Sequence, residues 1–188
     1  MSAEAPPTPS HGVTVPQPVA FDFPKVFRSE LPYVWRTLRR LGVPDRDRED
    51  VAHEVFMVVH KRLHEYDATR PLRPWLFGIA YRRAADYRRL RRHEYERSDE
   101  APDRIDTAPA ADELIEAREA RALLADALER VDFDRRAVLI LHDLEEVTIP
   151  TIADALGIPV RTAYSRLRVG REELAQAVAR LQGRRAKP

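Results

Sequence analysis

The stretch from Asp67 to His93 limits what this chain can fold into more than any other. It reads Asp-Ala-Thr-Arg-Pro-Leu-Arg-Pro-Trp-Leu-Phe-Gly-Ile-Ala-Tyr-Arg-Arg-Ala-Ala-Asp-Tyr-Arg-Arg-Leu-Arg-Arg-His. Pro71 and Pro74 hold its front end out of helix, because each lacks an amide donor and disfavours helix in the residue before it. Helix is expected from Pro74 or Trp75, since proline is tolerated in a first turn. From there Leu76, Ile79, Ala80, Ala84 and Tyr87 recur at helical spacing and predict an apolar face. Arg82, Arg83, Arg88, Arg89, Arg91 and Arg92 crowd the same helix, with Phe77, Tyr81 and Tyr87 between them. That is more positive charge than folding needs. Cations track a phosphate backbone and flat rings stack on unpaired bases. The stretch is therefore a candidate surface for single-stranded nucleic acid. A core helix with a solvated basic face is the plain alternative.

With 188 residues the chain suits one ordinary domain or two small ones. Charged residues make up 34% and hydrophobic ones 44%, so a core can form inside a polar surface. The net charge of +1 says little, because the basic blocks are local and an acidic segment lies between them. The absence of cysteine excludes disulfides, thiolate metal sites and thiol catalysis. No apolar run approaches the roughly 18 residues of a membrane span. The N-terminus has no signal-peptide core, so a cytoplasmic protein is expected.

Residues 1–24 are rich in Pro, Ala, Ser and Thr and poor in large apolar side chains, which predicts a disordered tail. Phe27, Leu31, Val34, Trp35, Leu38 and Leu41 then share a helical face, with a kink or restart expected at Pro32. Gly42-Val43-Pro44 stops that helix. Asp45 or Asp47 is positioned to cap the next, whose buried stripe is Val51, Val55, Val58, Val59 and Leu63. Its opposite face shows Asp50, His53, Glu54, Met57 and Lys61: solvated charge, or a docking surface for a basic partner. His60 and His64 stand one helical turn apart, as two metal ligands can, but no third ligand is placed near them and no metal site is expected. After the basic stretch, residues 94–111 turn acidic and read as a flexible linker. Fully extended, it reaches roughly 60 Å, on the order of two turns of duplex DNA.

A second helical domain is expected over residues 112–182, followed by a basic tail at 183–188. Leu114, Ile115, Leu123, Leu124, Ala127, Leu128 and Val131 keep helical spacing. Asp132 or Asp134 begins the next helix, with Val138, Leu139, Leu141 and Leu144 expected inside. Thr148 then caps a short helix that buries Ile152, Ala153 and Leu156. Gly157 supplies a left-handed turn residue, and Pro159 or Val160 opens an Arg-rich helix. Helix, glycine turn and basic helix form the helix-turn-helix pattern, in which the second helix enters the major groove. Arg161, Thr162, Tyr164, Ser165, Arg166 and Arg168 are its candidate readers of base edges and phosphates.

Taken together, the runs Asp47-Arg48-Glu49-Asp50-Val51-Ala52-His53-Glu54-Val55-Phe56 and Arg73-Pro74-Trp75-Leu76-Phe77-Gly78-Ile79-Ala80, with the arginines through Arg92, resemble conserved region 2 of bacterial sigma factors. Asp134 to Leu174 resembles region 4 of the same proteins, and the short length resembles their extracytoplasmic-function (ECF) class. The resemblance implies an all-α protein of two small helical domains, 25–93 and 112–182. It implies docking on the polymerase β′ coiled coil through Asp50, His53 and Glu54, where the family more often has glutamine at the position of His53. It implies capture of a melted −10 base beside the loop Tyr66–Pro74, with Arg70, Arg73, Trp75, Arg82, Asp86 and Arg89 as the contacting set. Arg82 stands where the family usually has asparagine. Region 4 is implied to read the −35 element through the second helix of its turn motif. The implied partners are core RNA polymerase, promoter DNA and an anti-sigma factor, with no cofactor. The competing readings are a stand-alone helix-turn-helix regulator and an enzyme. For the enzyme the chain offers no convergent nucleophile and base, no phosphate-cradling glycine loop and no metal set.

Overall fold

The computed structural model describes residues 22–95 and 115–185, with side chains over 22–92 and 118–183. Residues 1–21 of the expected tail and nearly all of the expected linker lie outside them, while Phe23 and Pro24, expected in the tail, open the first helix. Within the described residues seven α-helices run in the order α1 (Phe23–Arg40), α2 (Asp45–Arg62), α3 (Leu72–Tyr95), α4 (Ile115–Leu128), α5 (Phe133–Leu139), α6 (Ile149–Leu156) and α7 (Val160–Arg185). A 3₁₀ turn, Leu63–Glu65, follows α2, and a π-helical turn, Ile140–Leu144, follows α5. There is no strand among the described residues.

Helices α1, α2 and α3 pack on one another as an N-terminal unit. Helix α1 buries Val26, Tyr33, Val34, Thr37 and Leu38, the stripe that a 3.6-residue period dictates. It runs unbroken through Pro32, which lies on the exposed side, so the helix does not restart there. Phe27, expected on the core face, is 37% exposed and rests on the ring of Phe56. The helix ends at Gly42 (φ +89°), where the Val43 amide donates to Leu38 and the Gly42 amide to Arg39. This paired closure satisfies two terminal carbonyls and needs a left-handed residue.

The expected side-chain cap of α2 is not formed. Pro44 holds the cap position, and Asp45 and Asp47 sit in the first turn, where the helix dipole favours them. Asp45 instead takes a hydrogen bond from the buried guanidinium of Arg48, which also donates to the Val43 carbonyl and lies under the Trp35 ring. Helix α3 begins at Leu72, two residues ahead of the expected start, because the prolines fall at or before its first turn.

The C-terminal unit, α4 to α7, is organised in a parallel way. Asp132 caps α5 by accepting from the amides of Asp134 and Arg135. A second buried arginine, Arg136, donates to the carbonyls of Glu129 and Val131 and fixes the α4–α5 turn. Burial, then the charge of Arg88, lowers its pKa to about 10. The π turn carries one residue more per turn than an α-helix. That shift rotates Leu144 outward, to 37% exposure, although α-helical spacing places it inside. Gly157 closes α6 in the left-handed conformation expected of it (φ +70°). Helix α7 runs through Arg185, into the segment expected as a basic tail.

One continuous hydrophobic core joins both units, from Val26 in α1 to Leu167 in α7. Leu38 is fully enclosed within it. Leu38→Ala is expected to cost about 2–5 kcal/mol, the range for emptying a packed leucine site, read as a lowered urea midpoint at unchanged slope.

Candidate nucleic-acid interface

Between α2 and α3 the chain makes a short, internally braced loop. Asp67 accepts from both the amide and the hydroxyl of Thr69, at 2.9 and 2.7 Å. Those bonds, the hydroxyl first, pull its carboxyl below the usual range. The Arg70 amide returns to the Asp67 carbonyl, and the Tyr66 hydroxyl donates to the Arg70 carbonyl. Such a loop loses little entropy when something binds beside it. Its edge is aromatic: the rings of Tyr66 and Trp75 lie 5.0 Å apart, tilted by 43°. They open on a cleft of about 590 Å³ that also takes in Arg62, Arg70 and Arg82. Two flat rings beside several cations suit an unstacked base and its phosphates.

The rings expected to stack on bases are used otherwise. Phe77 is fully buried. Tyr81 stacks on Phe133 of α5 at 5.1 Å and donates to Asp134 at 2.5 Å. Burial, then the Asp134 bond, pushes its hydroxyl up to about 12. Tyr87 donates to Asp47 at 2.6 Å. Interleaving along a sequence does not distinguish core rings from surface rings. Tyr66, at the start of the loop, is the aromatic partner of Trp75 that the arginine-rich pattern does not reveal.

The cleft has a second wall, made by the C-terminal unit. Helix α6 crosses α3 so closely at Gly78 that an added Cβ would collide with the Ala155 carbonyl. Arg82 donates to that carbonyl at 3.3 Å and to the Gly78 carbonyl at 2.6 Å. Arg70 pairs with Asp154 at 2.6 Å. Arg88 lies over the Phe133 ring. On the far side of the loop, Glu145 accepts from the Tyr33 hydroxyl at 2.7 Å and from Arg40 at 3.4 Å. Arg70, Arg82 and Arg88 are thus engaged by the protein's own C-terminal unit rather than standing free. Arg73 reaches Glu30, and Asp86 is held by both Arg83 and Arg89 at 3.2 Å. Of the expected −10 set, Arg70, Trp75 and Arg82 converge on the cleft; Arg73, Asp86 and Arg89 do not line it.

On α7, Arg161, Tyr164, Ser165 and Arg168 fall one helical turn apart and are exposed, with Tyr164 at 59%. Thr162 is half-buried. Arg166 departs from this ridge: it is half-buried and pairs at 2.5 Å with Asp134, the acceptor that Tyr81 also uses. Arg171 clamps Asp143 through two bonds and ties α7 to the π turn. Asp50, His53 and Glu54 line the outer face of α2, all exposed. His60 packs edge-on against the Phe23 ring, while His64 lies 3.7 Å from Glu65, so the two histidines turn to different partners.

A family model for sigma-70 region 2 matches residues 26–94, and one for sigma-70 region 4 matches residues 121–174. Together they span more than half of the chain. The RNA polymerase sigma factor NccH of Alcaligenes xylosoxydans xylosoxydans is 28% identical over 140 residues, which cover 72% of this chain and 75% of that one. The ECF sigma factor RpoE of Cereibacter sphaeroides is 28% identical over 156 residues, covering 82% and 84%. The fold matches that of the sigma factor RpoE of Bartonella quintana, crystallised with the anti-sigma factor NepR, at a TM-score of 0.71 and 21% identity over 84% of this chain and 97% of that one. The chain belongs to the sigma-70 family and is a sigma factor of the ECF class. It binds core RNA polymerase and directs promoter recognition and transcription initiation. The stand-alone regulator is not favoured.

The Gly78 crossing yields a direct test. Alanine is the better helix former by about 1 kcal/mol, so Gly78→Ala leaves α3 intact while α6 is forced away. The chain has no cysteine, which permits dye pairs at Lys61 and Gln176 through introduced cysteines. Gly78→Ala is expected to lengthen the mean distance between the dyes; an unchanged distance would show that the close crossing is not what holds the units together.

Proposed function

We propose that the two units act as two readers of one promoter, residues 25–93 on the melted −10 element and residues 112–182 on the −35 duplex, joined by a linker at 94–111. The observation that carries this is the pairing, on one chain, of an aromatic cleft at Tyr66 and Trp75 with an exposed basic ridge on α7. A base leaving the stack costs a few kcal/mol, and a pocket that receives it returns part of that cost. In this reading Trp75 and Tyr66 flank the extruded base, Arg70 and Arg82 meet its neighbouring phosphates, and Arg73, Asp86 and Arg89 border the path. The ridge Arg161, Tyr164, Ser165 and Arg168 enters the major groove. Thr162 stands on its flank, and Arg166 joins it once Asp134 releases it. Asp50, His53 and Glu54 dock on the β′ coiled coil, and their exposure on α2 supports that role.

The chain itself carries out no catalysis in this reading; sigma factors are non-enzymatic initiation factors, and polymerase makes the RNA. We place it in the cytoplasm, where polymerase works; no described helix is long and apolar enough to cross a membrane. An anti-sigma partner is proposed on the precedent of RpoE with NepR.

Run-off transcription with purified core polymerase tests the whole reading. The added chain is expected to direct initiation at promoters of its own genome, and failure at every one of them would refute it. For the duplex reader, Arg161→Ala is expected to weaken promoter binding by about 1–3 kcal/mol, measured by anisotropy at fixed salt; an unchanged affinity would take Arg161 out of the groove.

A further inference from the structure

A second cleft, of about 570 Å³, lies across the loop from the first. Its floor on the N-terminal unit is Tyr33, Arg36, Arg40 and Arg73, and its lid on the C-terminal unit is the segment Leu144–Thr148. Into it projects Glu145, with 14% of its side chain exposed. The fit is imperfect. The Tyr33 hydroxyl and Arg40 meet the carboxylate, and Arg36 and Arg73 add their charge, yet burial outweighs all of them and raises the Glu145 pKa. The adjoining Glu146 is held at φ +56°, in the left-handed region that non-glycine residues seldom occupy. On the other side, burial and then the charges of its neighbours Arg36 and Arg39, against that of Glu145, lower the Arg40 pKa. The cationic floor is thus crowded, and a single desolvated carboxylate balances it poorly.

The two clefts adjoin, sharing Pro71, Pro74 and Thr151 in their linings. We propose that Tyr33, Arg36, Arg40 and Arg73 form a binding site for a backbone phosphate of the separated DNA strand, and that Glu145 is its resident competitor while α6 lies against α3. The proposal rests on the reading that the Tyr66–Trp75 cleft takes an extruded base: a strand anchored there runs past the loop and lays its next phosphates on this floor. A backbone phosphate carries the same single negative charge as Glu145, but a strand presents successive phosphates, so it reaches several guanidinium groups where the lone carboxylate bonds one. Arg73 is also held by Glu30 at 3.1 Å and lies over the Tyr33 ring, which fixes it at the edge of the floor. An acidic peptide would meet the same cations, but it gains nothing from the adjoining aromatic cleft, which favours the nucleic acid strand.

The full chain is titrated into a fluorescein-labelled single-stranded DNA of twelve nucleotides and randomised sequence, with anisotropy followed across a salt series. Glu145→Ala, which vacates the site, and Gly78→Ala, which parts the helices by another route, are each expected to tighten binding about three- to tenfold. Adding Arg36→Gln and Arg40→Gln to Glu145→Ala is expected to remove the gain. The same change should reduce the slope of log K against log salt by about 0.7 for each phosphate that is no longer neutralised. Thermal melts by circular dichroism check that each variant is folded. The proposal is overturned if Glu145→Ala binds no tighter, if the arginine changes leave the salt slope as it was, or if they weaken duplex of the same sequence equally. It is also overturned if a glutamate-rich peptide, and not DNA, gains from Glu145→Ala. Wild-type chain that drives run-off transcription alongside any of those results would refute this site alone and leave the promoter-reading function standing.

Discussion

The close crossing of α6 over α3 at Gly78 governs the rest of the arrangement. A glycine inside a helix costs about 1 kcal/mol relative to alanine, and at Gly78 the absence of a side chain lets a backbone carbonyl from the other unit settle on the helix surface. The Ala155 carbonyl lies near the end of α6, where helical acceptors lack intrahelical partners. Arg82 meets it, and that choice draws a cation expected on a DNA-binding face back onto protein. The contacts around the crossing follow from it. Once α6 is seated, Asp154 falls within reach of Arg70 and Glu145 within reach of Tyr33.

The contacts seated by that crossing divide into two physical kinds. Near α5, Tyr81 on Phe133 and the enclosed side chains of the shared core bury apolar surface, a gain that salt does not screen. Around the two clefts the units meet through charge: Asp154 on Arg70, Glu145 on Tyr33 and Arg40. The Arg70–Asp154 pair has both side chains more than half exposed, so it contributes at most about 1 kcal/mol and weakens with salt. Acidic groups of one unit thereby cover basic groups of the other. Each of these carboxylates can be exchanged for a phosphate with little change in local charge balance, so the surface that closes the chain on itself is chemically matched to nucleic acid.

What the sequence discloses, and what it withholds, separates along the same division. Helices, their stops and the glycine turns at Gly42 and Gly157 obey local rules, and the buried stripes obey a fixed period; both are readable in one dimension. The acid at the head of α5 is legible as a cap because Asp132 bonds amides two and three residues away. The α2 cap fails because Arg48, distant in sequence from the Trp35 it packs under, draws Asp45 to itself. Leu144 leaves its expected buried place through a π turn, which no periodic pattern announces. The rings among the arginines cannot be sorted by pattern because Phe133 and Asp134, which engage Tyr81, lie beyond an intervening segment whose path the sequence does not fix. Gly78 does carry a usable sign: a glycine within a strongly helical pattern marks a close approach, although not by which element.

In the proposed reading, a chain closed on itself weakens strand capture by the free subunit, and the size of the effect follows from arithmetic alone. When the binding-competent form is a fraction f of the molecules, the apparent dissociation constant rises as the inverse of f. A closed state favoured by about 1.4 kcal/mol therefore weakens the free subunit's grip on single strands about tenfold, with no change to any residue of the reader. The outer face of α2 bearing Asp50, His53 and Glu54 is exposed while α6 walls one side of the Tyr66–Trp75 cleft. In the proposed reading, docking on that face therefore does not require the cleft to open first. Binding of polymerase can precede separation of the units, and the work of opening falls to whatever differential affinity polymerase has for the open chain. The exposed ridge on α7 is not covered in the same way, so under the proposed roles closure bears on strand capture and spares duplex reading. This asymmetry follows from the side of the turn motif that packs inward: α6 faces α3 and leaves its partner helix outside.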